Sequence, residues 1–154
     1  MLFRSVEAFC QKCEAIGIDG FIIPDLPAEV YHEDYKAIFD RYGLLNIFLI
    51  TPQTSKSRIR YMDSISEGFI YMVSSASTTG AQSGFGAAQQ DYFRRIETMR
   101  LKNPQIVGFG ISNKDTFTQA TTHAKGAIIG SAFIKHLTQK GVEKIHTFVD
   151  GILR

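Results

Sequence analysis

The sequence predicts an α/β protein in which five strand–helix units build one parallel sheet. Five short runs rich in Ile, Val, Phe and Leu are nearly continuous in apolar residues, which is typical of parallel strands covered on both faces. Segments with helical periodicity separate these runs. A helix followed by five βα units indicates right-handed crossovers. The 154 residues, of which 44% are apolar and 21% charged, suit one domain with a real core.

The elements can be placed along the chain. The predicted strands, which are the apolar runs bounded by Gly, Pro or polar residues, cover 19–25, 46–51, 68–74, 105–110 and 126–131. The predicted helices, which have apolar residues three and four apart, cover 7–17, 28–43, 55–66, 88–102, 113–124 and much of 134–154. The repeating unit is therefore one strand and one helix in about 20 to 30 residues.

The two cysteines form a C-x-x-C motif at Cys10 and Cys13. A redox dithiol would sit at a helix N-terminus just after a strand, and a zinc site would need a second pair of ligands. This motif lies inside the first predicted helix, before the first strand. We therefore predict that both thiols pack in the core, and we expect no metal.

Charge and hydropathy exclude several classes of protein. The net charge is only +2, and Lys and Arg are scattered, so no electrostatic footprint for nucleic acid is present. No stretch approaches the roughly 18 apolar residues of a membrane helix, and the first residues do not read as a signal peptide. We expect a cytoplasmic protein with neither a nucleic-acid nor a membrane partner.

Glycines end the last two predicted strands, at Gly108-Phe109-Gly110 and at Gly130-Ser131. The first strand ends in "IIPDLP" rather than in the Gly-rich fingerprint of an open dinucleotide-binding sheet. Loops after the last two strands of a (β/α)8 barrel recurrently bind phosphate. Each glycine alone would equally suit a tight turn. Together with the Gly-rich stretch 78–86, they predict a phosphate site where the segments "ISN" and "SAF" begin helices with free N–H groups.

The chain resembles the α subunit of tryptophan synthase over nearly its whole length. The resemblance rests on "GIDGFIIPDLP", "FLITPQT", "GFIYMVSSASTTGAQ", "VGFGISN" and "GAIIGSA", in the order and spacing of that family. It implies a (β/α)8 TIM barrel that cleaves indole-3-glycerol phosphate to indole and glyceraldehyde 3-phosphate by a retro-aldol step. It also implies that indole passes to a partner β subunit, and that the pyridoxal phosphate belongs to that partner. No cofactor is expected in this chain.

The resemblance implies roles for particular residues. Backbone N–H groups would bind the substrate phosphate at Gly80, Gly110, Gly130 and Ser131. The indole pocket would be lined by Ile22, Ile50, Tyr71, Phe109 and Ile128, although barrel core is an equal alternative for Ile50. Thr79 would close a loop over the site, where Ser77-Thr78 replaces the Gly-Val of the family. Asp25 and Pro27 would lie near the β-subunit interface.

The catalytic carboxylates of the family would lie upstream of this sequence. If the glycine-ended strands are the seventh and eighth of a barrel, the five runs are strands four to eight, and the first three βα units are missing. Asp25, the one strand-end carboxylate, matches an interface position, and the four histidines fall in helices or at their ends. We therefore expect one partial-barrel domain over 1–154 with exposed sheet edges and a bared inner face.

Two alternatives remain open from the sequence. One is a non-catalytic, phosphate-binding half-barrel. The other is a complete small protein with a flavodoxin-like strand order that binds a phosphorylated ligand. The flavodoxin-like alternative requires a flat sheet with both faces covered, whereas a partial barrel would leave one face uncovered.

Overall fold

The computed structural model of the chain describes residues 5–74 and 84–154. Helices and strands alternate through both segments. The strands are β1 (Gly20–Ile22), β2 (Leu45–Ile50), β3 (Ile70–Val73), β4 (Gln105–Gly108) and β5 (Gly126–Ile128). The helices are α1 (Val6–Ala15), α2 (Ala28–Val30), α3 (Lys36–Arg41), α4 (Lys56–Ile65), α5 (Ala87–Thr98), α6 (Lys114–Thr121), α7 (Ser131–Lys140) and α8 (Ile145–Leu153). A π-helical turn, Tyr31–Tyr35, joins α2 to α3, and a 3-10 turn, Val142–Lys144, precedes α8.

The five strands form one sheet in the order β1-β2-β3-β4-β5, and every neighbouring pair is parallel. The order of the strands across the sheet is therefore the same as their order along the chain. A flavodoxin-like sheet has the order 2-1-3-4-5 and changes direction at β1. The flavodoxin-like alternative is wrong, and the partial (β/α) barrel is confirmed.

The two faces of the sheet differ in burial. On the helix face, alternate side chains pack in one core with the helices, and those at the centre are almost completely buried: Phe48, Ile50, Ile70, Met72 and Val107. The residues between them point to the other face, which we call the inner face. Leu49, Val73 and Ile106 there are half-buried, and Ile22 is 45% exposed. The inner face is thus incompletely covered, as expected for a partial barrel.

Several helix boundaries follow from caps and backbone conformation. Ser5 caps α1 by accepting the Ala8 N–H, and Ser55 caps α4 in the same way. Helix α5 ends earlier than the predicted 102, because Arg100 adopts a left-handed conformation with φ 48°. The predicted strand 126–131 ends at Ile128, because Gly130 already caps α7. Both cysteines are buried in α1 as free thiols, which confirms their prediction as core residues.

A buried carboxylate fixes the connection between α5 and β4. Asp63 in α4 accepts hydrogen bonds from the backbone N–H groups of Lys102 and Asn103, at 2.9 and 3.0 Å. The Asn103 side-chain amide donates to the Asp63 carboxylate and carbonyl oxygens, both at 2.8 Å. Asp63 and Asn103 are buried, so these bonds satisfy polar groups whose burial without a partner would be costly in free energy.

None of the described helices is long and apolar enough to cross a membrane.

The difference between the two faces predicts unequal costs for the same substitution. Ile50→Ala removes a completely buried side chain and should lower the free energy of unfolding by about 2–5 kcal/mol. Ile22→Ala, on the exposed part of the inner face, should cost about 1 kcal/mol or less. Urea unfolding of both variants and the parent chain measures the difference. Equal losses would contradict an inner face open to solvent.

Candidate functional site

A cavity of about 550 Å³ lies at the carboxyl ends of β4 and β5. It is lined by residues from the two strands β3 and β5, the turns that follow β4 and β5, and the helices α7 and α8. The lining residues are Tyr71, Phe109, Gly110, Ile111, Ser112, Ile128, Gly130, Ser131, Ala132, Lys135, His136, Gln139 and Phe148. Six of the residues that the sequence assigned to phosphate or indole therefore meet at one place.

The turn after β4 has two consecutive left-handed residues, Phe109 with φ 68° and Gly110 with φ 74°. The conformation costs a residue with a Cβ atom about 1–2 kcal/mol, so Phe109 is a strained position. Ser74 holds the turn from the end of β3, because its hydroxyl donates to the Phe109 carbonyl oxygen at 2.7 Å. Tyr71 packs its ring 5.9 Å from that of Phe109. These contacts hold the turn in a conformation in which Phe109 lines the cavity.

At Gly108, the last residue of β4, glycine is required by the packing of a neighbouring side chain rather than by the backbone conformation. A Cβ atom on Gly108 would lie 1.9 Å from the Tyr71 hydroxyl oxygen, so only glycine leaves room for that ring. Gly110 is required instead for its positive φ, since a Cβ there would meet only ordinary contacts. At Gly130 an added Cβ would meet no atom within 4 Å. Gly130 is thus free of packing constraints and opens directly onto the cavity.

The two helices that follow these glycines begin differently. At α6, Asn113 accepts the Thr116 N–H, while the Thr116 hydroxyl accepts the N–H groups of Ser112 and Asn113. The N–H groups of Ser112 and Asn113, within the stretch "ISN" that was predicted to offer free donors, are therefore already bonded, which corrects that prediction for these two residues. At α7, Gly130 is the N-cap and offers no side-chain acceptor to the first turn. Of the two helices, α7 is the one whose first turn has no side-chain cap.

The apolar wall of the cavity consists of Tyr71, Phe109 and Ile128. Tyr71 is 8% exposed, and burial raises the pKa of its phenol, so it remains neutral at physiological pH. Phe148 from α8 closes another side, and its ring is tilted against the His136 ring, with the ring centres 5.2 Å apart. Aromatic and aliphatic walls beside a helix N-terminus suit a flat apolar group joined to an anion.

Other predicted site residues lie outside this cavity. Ile50 is on the helix face, is 0% exposed, and its carbonyl oxygen accepts the Tyr92 hydroxyl at 3.1 Å. This corrects its assignment to the indole pocket and supports the core alternative. Ile22 is on the inner face of the edge strand β1 but does not line the cavity. Thr79 and Gly80 lie outside the described residues.

Two residues were predicted to lie near a partner interface. Asp25 is exposed in the turn after β1, and Pro27, also exposed, is the N-cap of α2. Both follow β1, so they lie at the carboxyl ends of the strands, as the cavity does. They are on the far side of the sheet from the cavity, because β1 and β5 are the two outer strands. Their surface is therefore accessible beside the site without forming its lining.

The sequence argument missed Ser112, Lys135, His136 and Phe148, which line the cavity. Lys135 and Gln139 follow Ser131 at intervals of four residues, so they share its face of α7. That spacing is a signal that could have found them. Phe148 could not have been found in this way, because its position depends on how α8 packs against α7.

A second cavity, of about 500 Å³, lies at the amino ends of β4 and β5. Its lining includes Arg100, Lys102 and Lys125, together with Glu97, whose carboxylate lies 2.7 Å from the His123 ring. Catalytic and binding residues of parallel α/β proteins gather at the carboxyl ends of the strands, so a cavity at the amino ends is not the expected place for a functional site.

No group of three His, Cys, Asp or Glu side chains within the described ranges could hold a metal ion.

The strand order and the cavity define the class of protein. A singly wound parallel sheet, with an uncapped helix N-terminus at the carboxyl end of its last strand, is the arrangement found in (β/α)8 barrels. Within that class, residues 1–151 match the family model of the tryptophan synthase alpha chain. The chain belongs to this family.

Curated relatives and solved structures agree with this membership. The chain is 70% identical to the tryptophan synthase alpha chain of Flavobacterium johnsoniae and 63% identical to that of Christiangramia forsetii, in each case over 99% of its length. It covers 60% and 59% of those relatives. A structure of the tryptophan synthase α2β2 complex from Pyrococcus furiosus contains a chain with a TM-score of 0.81 and 30% identity, over 97% of this chain and 61% of that one. The chain thus spans about 60% of the length of its relatives.

The glycines at the cavity predict different responses to alanine. Gly110→Ala forces a Cβ into the left-handed region and should lower the free energy of unfolding by about 1 kcal/mol. Gly130→Ala, with φ −97° and open space around it, should change it by less than about 0.5 kcal/mol. Thermal or urea unfolding measures both. A larger loss for Gly130→Ala would contradict the absence of packing around that residue.

Proposed function

We propose that this chain carries the phosphate and indole half of the α-subunit site of tryptophan synthase, which cleaves indole-3-glycerol phosphate. One observation carries the proposal: in a member of this family, Tyr71, Phe109, Gly110, Gly130 and Ser131 line one cavity at the carboxyl edge of the sheet. The cavity combines an anion-binding element with an apolar wall, and the substrate combines a phosphate with an indole ring. This correspondence supports the assignment.

The substrate phosphate would bind at the first turn of α7. Its N–H groups have no cap side chain as acceptor, and a helix N-terminus carries about half a positive charge. Gly130 leaves space for an oxyanion to approach the backbone, and Gly110 lines the same cavity from the turn after β4. Thr79 and Gly80 would complete the site from the segment between β3 and α5.

The indole ring would lie against Tyr71, Phe109 and Ile128. The neutral Tyr71 phenol and the strained Phe109 offer aromatic surfaces, which prefer offset or edge-to-face contacts with another ring. Ile128, at the carboxyl end of β5, offers an aliphatic contact next to the phosphate turn. This arrangement would hold the two ends of the substrate and leave the bond between them accessible.

The cleavage itself would need carboxylates, which are not among the described residues that line the cavity. A retro-aldol step with an indole leaving group needs an acid to protonate the ring carbon and a base to take a hydroxyl proton. The lining of this cavity includes neither Asp nor Glu among the described residues. We therefore propose that the catalytic carboxylates belong to the part of the full-length relatives that this chain does not span. Indole would then pass to a β subunit docked near Asp25 and Pro27.

The binding proposal is tested by titrating the ¹⁵N-labelled chain with glycerol 3-phosphate and following its amide resonances. We expect the amides of Gly110, Gly130 and Ser131 to shift, because the phosphate would receive hydrogen bonds from this region. Gly130→Ala should weaken binding, since its methyl group would occupy the open space. Gly151→Ala, at an exposed position in α8 with nothing near an added Cβ, is the matched control. Unmoved amides in the folded parent chain would refute the phosphate site.

The proposal for the carboxylates makes a separate prediction. The chain alone should give no release of indole from indole-3-glycerol phosphate above the buffer blank, because acid–base groups contribute about 10²–10⁴-fold each. A coupled assay for glyceraldehyde 3-phosphate, with a full-length relative as positive control, measures this. Turnover well above the blank would show that this chain supplies its own catalytic groups.

A further inference from the structure

We propose that Lys135 is the cationic side chain that binds the substrate phosphate, in addition to the backbone N–H groups of α7. The inference rests on the proposed function, because it adds a residue to that phosphate site. Among the residues that line the described cavity, Lys135 is the one with a permanent positive charge. No role was assigned to it by the glycine motifs or by the resemblance.

The position of Lys135 on α7 directs its charge toward the phosphate turn. Lys135 follows Ser131 by four residues, so the two side chains lie one above the other on the face that lines the cavity. Side chains in α-helices lean toward the N-terminus of the helix. One helical turn rises about 5.4 Å, which the long lysine side chain can span. The ammonium group can therefore reach the level of Ser131 and Gly130.

The charge of the ligand exceeds the partial charge that the helix N-terminus provides. A phosphate monoester carries a charge of about −1.5 to −2 at neutral pH, whereas a helix N-terminus offers about +0.5. Lys135 is exposed and has no ion-pair or hydrogen-bond partner among the described residues, so no carboxylate competes for it. The other titratable side chain of the α7 face, His136, already bonds the Lys144 carbonyl oxygen through Nε2 at 2.9 Å. Lys135 is thus available for an anion, and His136 is occupied.

The test uses the full chain and glycerol 3-phosphate as the probe, with binding followed by the amides of Gly130 and Ser131. Lys135→Met keeps the aliphatic length and removes the charge. It should raise the Kd about ten- to a hundred-fold, because hydrogen bonds to charged groups contribute about 1.5–3 kcal/mol. Lys140→Met, in the last turn of the same helix and outside the cavity lining, should leave the Kd within about two-fold. Lys135→Arg should retain most of the affinity.

A salt series adds a readout that a change of shape would not move. The Kd of the parent chain should rise with sodium chloride more steeply than that of Lys135→Met, since that variant has one fewer charge to be screened. Parent-like binding by Lys135→Met would overturn the inference and leave the proposed phosphate site standing. Equal losses in the folded Met and Arg variants would also overturn it, because charge would not be the cause. No binding by the parent chain would refute both proposals together.

Discussion

The organisation of this protein depends on the two faces of its sheet. Side chains of successive strand residues point to opposite faces, and helices α1 to α6 contribute side chains to the core on one of them, where Phe48, Ile70 and Val107 are buried. Because every strand is parallel to its neighbours, all the strands also end at the same edge. The helix face supplies the core, while the shared edge and the inner face remain accessible. The cavity lies where these two accessible regions meet.

The cavity acquires its shape from contacts between neighbouring strands. Tyr71 on β3 needs the space left by Gly108 on β4, and Ser74 after β3 bonds the Phe109 carbonyl oxygen after β4. Register pairing of Val73 with Gly108 brings these ends together. The strained conformation of Phe109 is therefore maintained by residues of the neighbouring strand β3 and of the segment just after it. Strained residues at binding sites are usually held in this way by the surrounding structure.

The order and type of the elements could be predicted from the sequence, because apolar runs and helical periods are local signals. The glycine turns and both cysteines could also be placed. Ile50 could not be assigned to a face, since a continuous apolar run such as "NIFLI" lacks the alternation that separates the two sides of a strand. The face became clear only from the pairing of Ile50 with Met72 in the buried core.

Other features depend on contacts between residues distant in the chain. The hydrogen bonds between Asp63 and Asn103 join positions 40 residues apart, and the sequence around each residue does not predict them. At α6, Asn113 and Thr116 do form a local capping pattern, and recognising it would have shown that this helix has few free N–H groups. The two glycine-ended strands look alike in sequence, yet they differ in the helix start that follows them.

That difference belongs to the part of the sheet where the cavity lies. The α7 N-terminus, the Phe109 turn and the Tyr71 ring belong to β3, β4 and β5 and the segments after them, and each is fixed by another element within this group. Ile22, in contrast, lies on the edge strand β1 and is largely exposed. Local support is therefore strong around the Phe109 turn and the Tyr71 ring, and weak at the β1 end of the inner face. The contacts that order the cavity therefore lie within β3, β4, β5 and the turns after them, while Ile22 at the far edge of the inner face stays open to solvent.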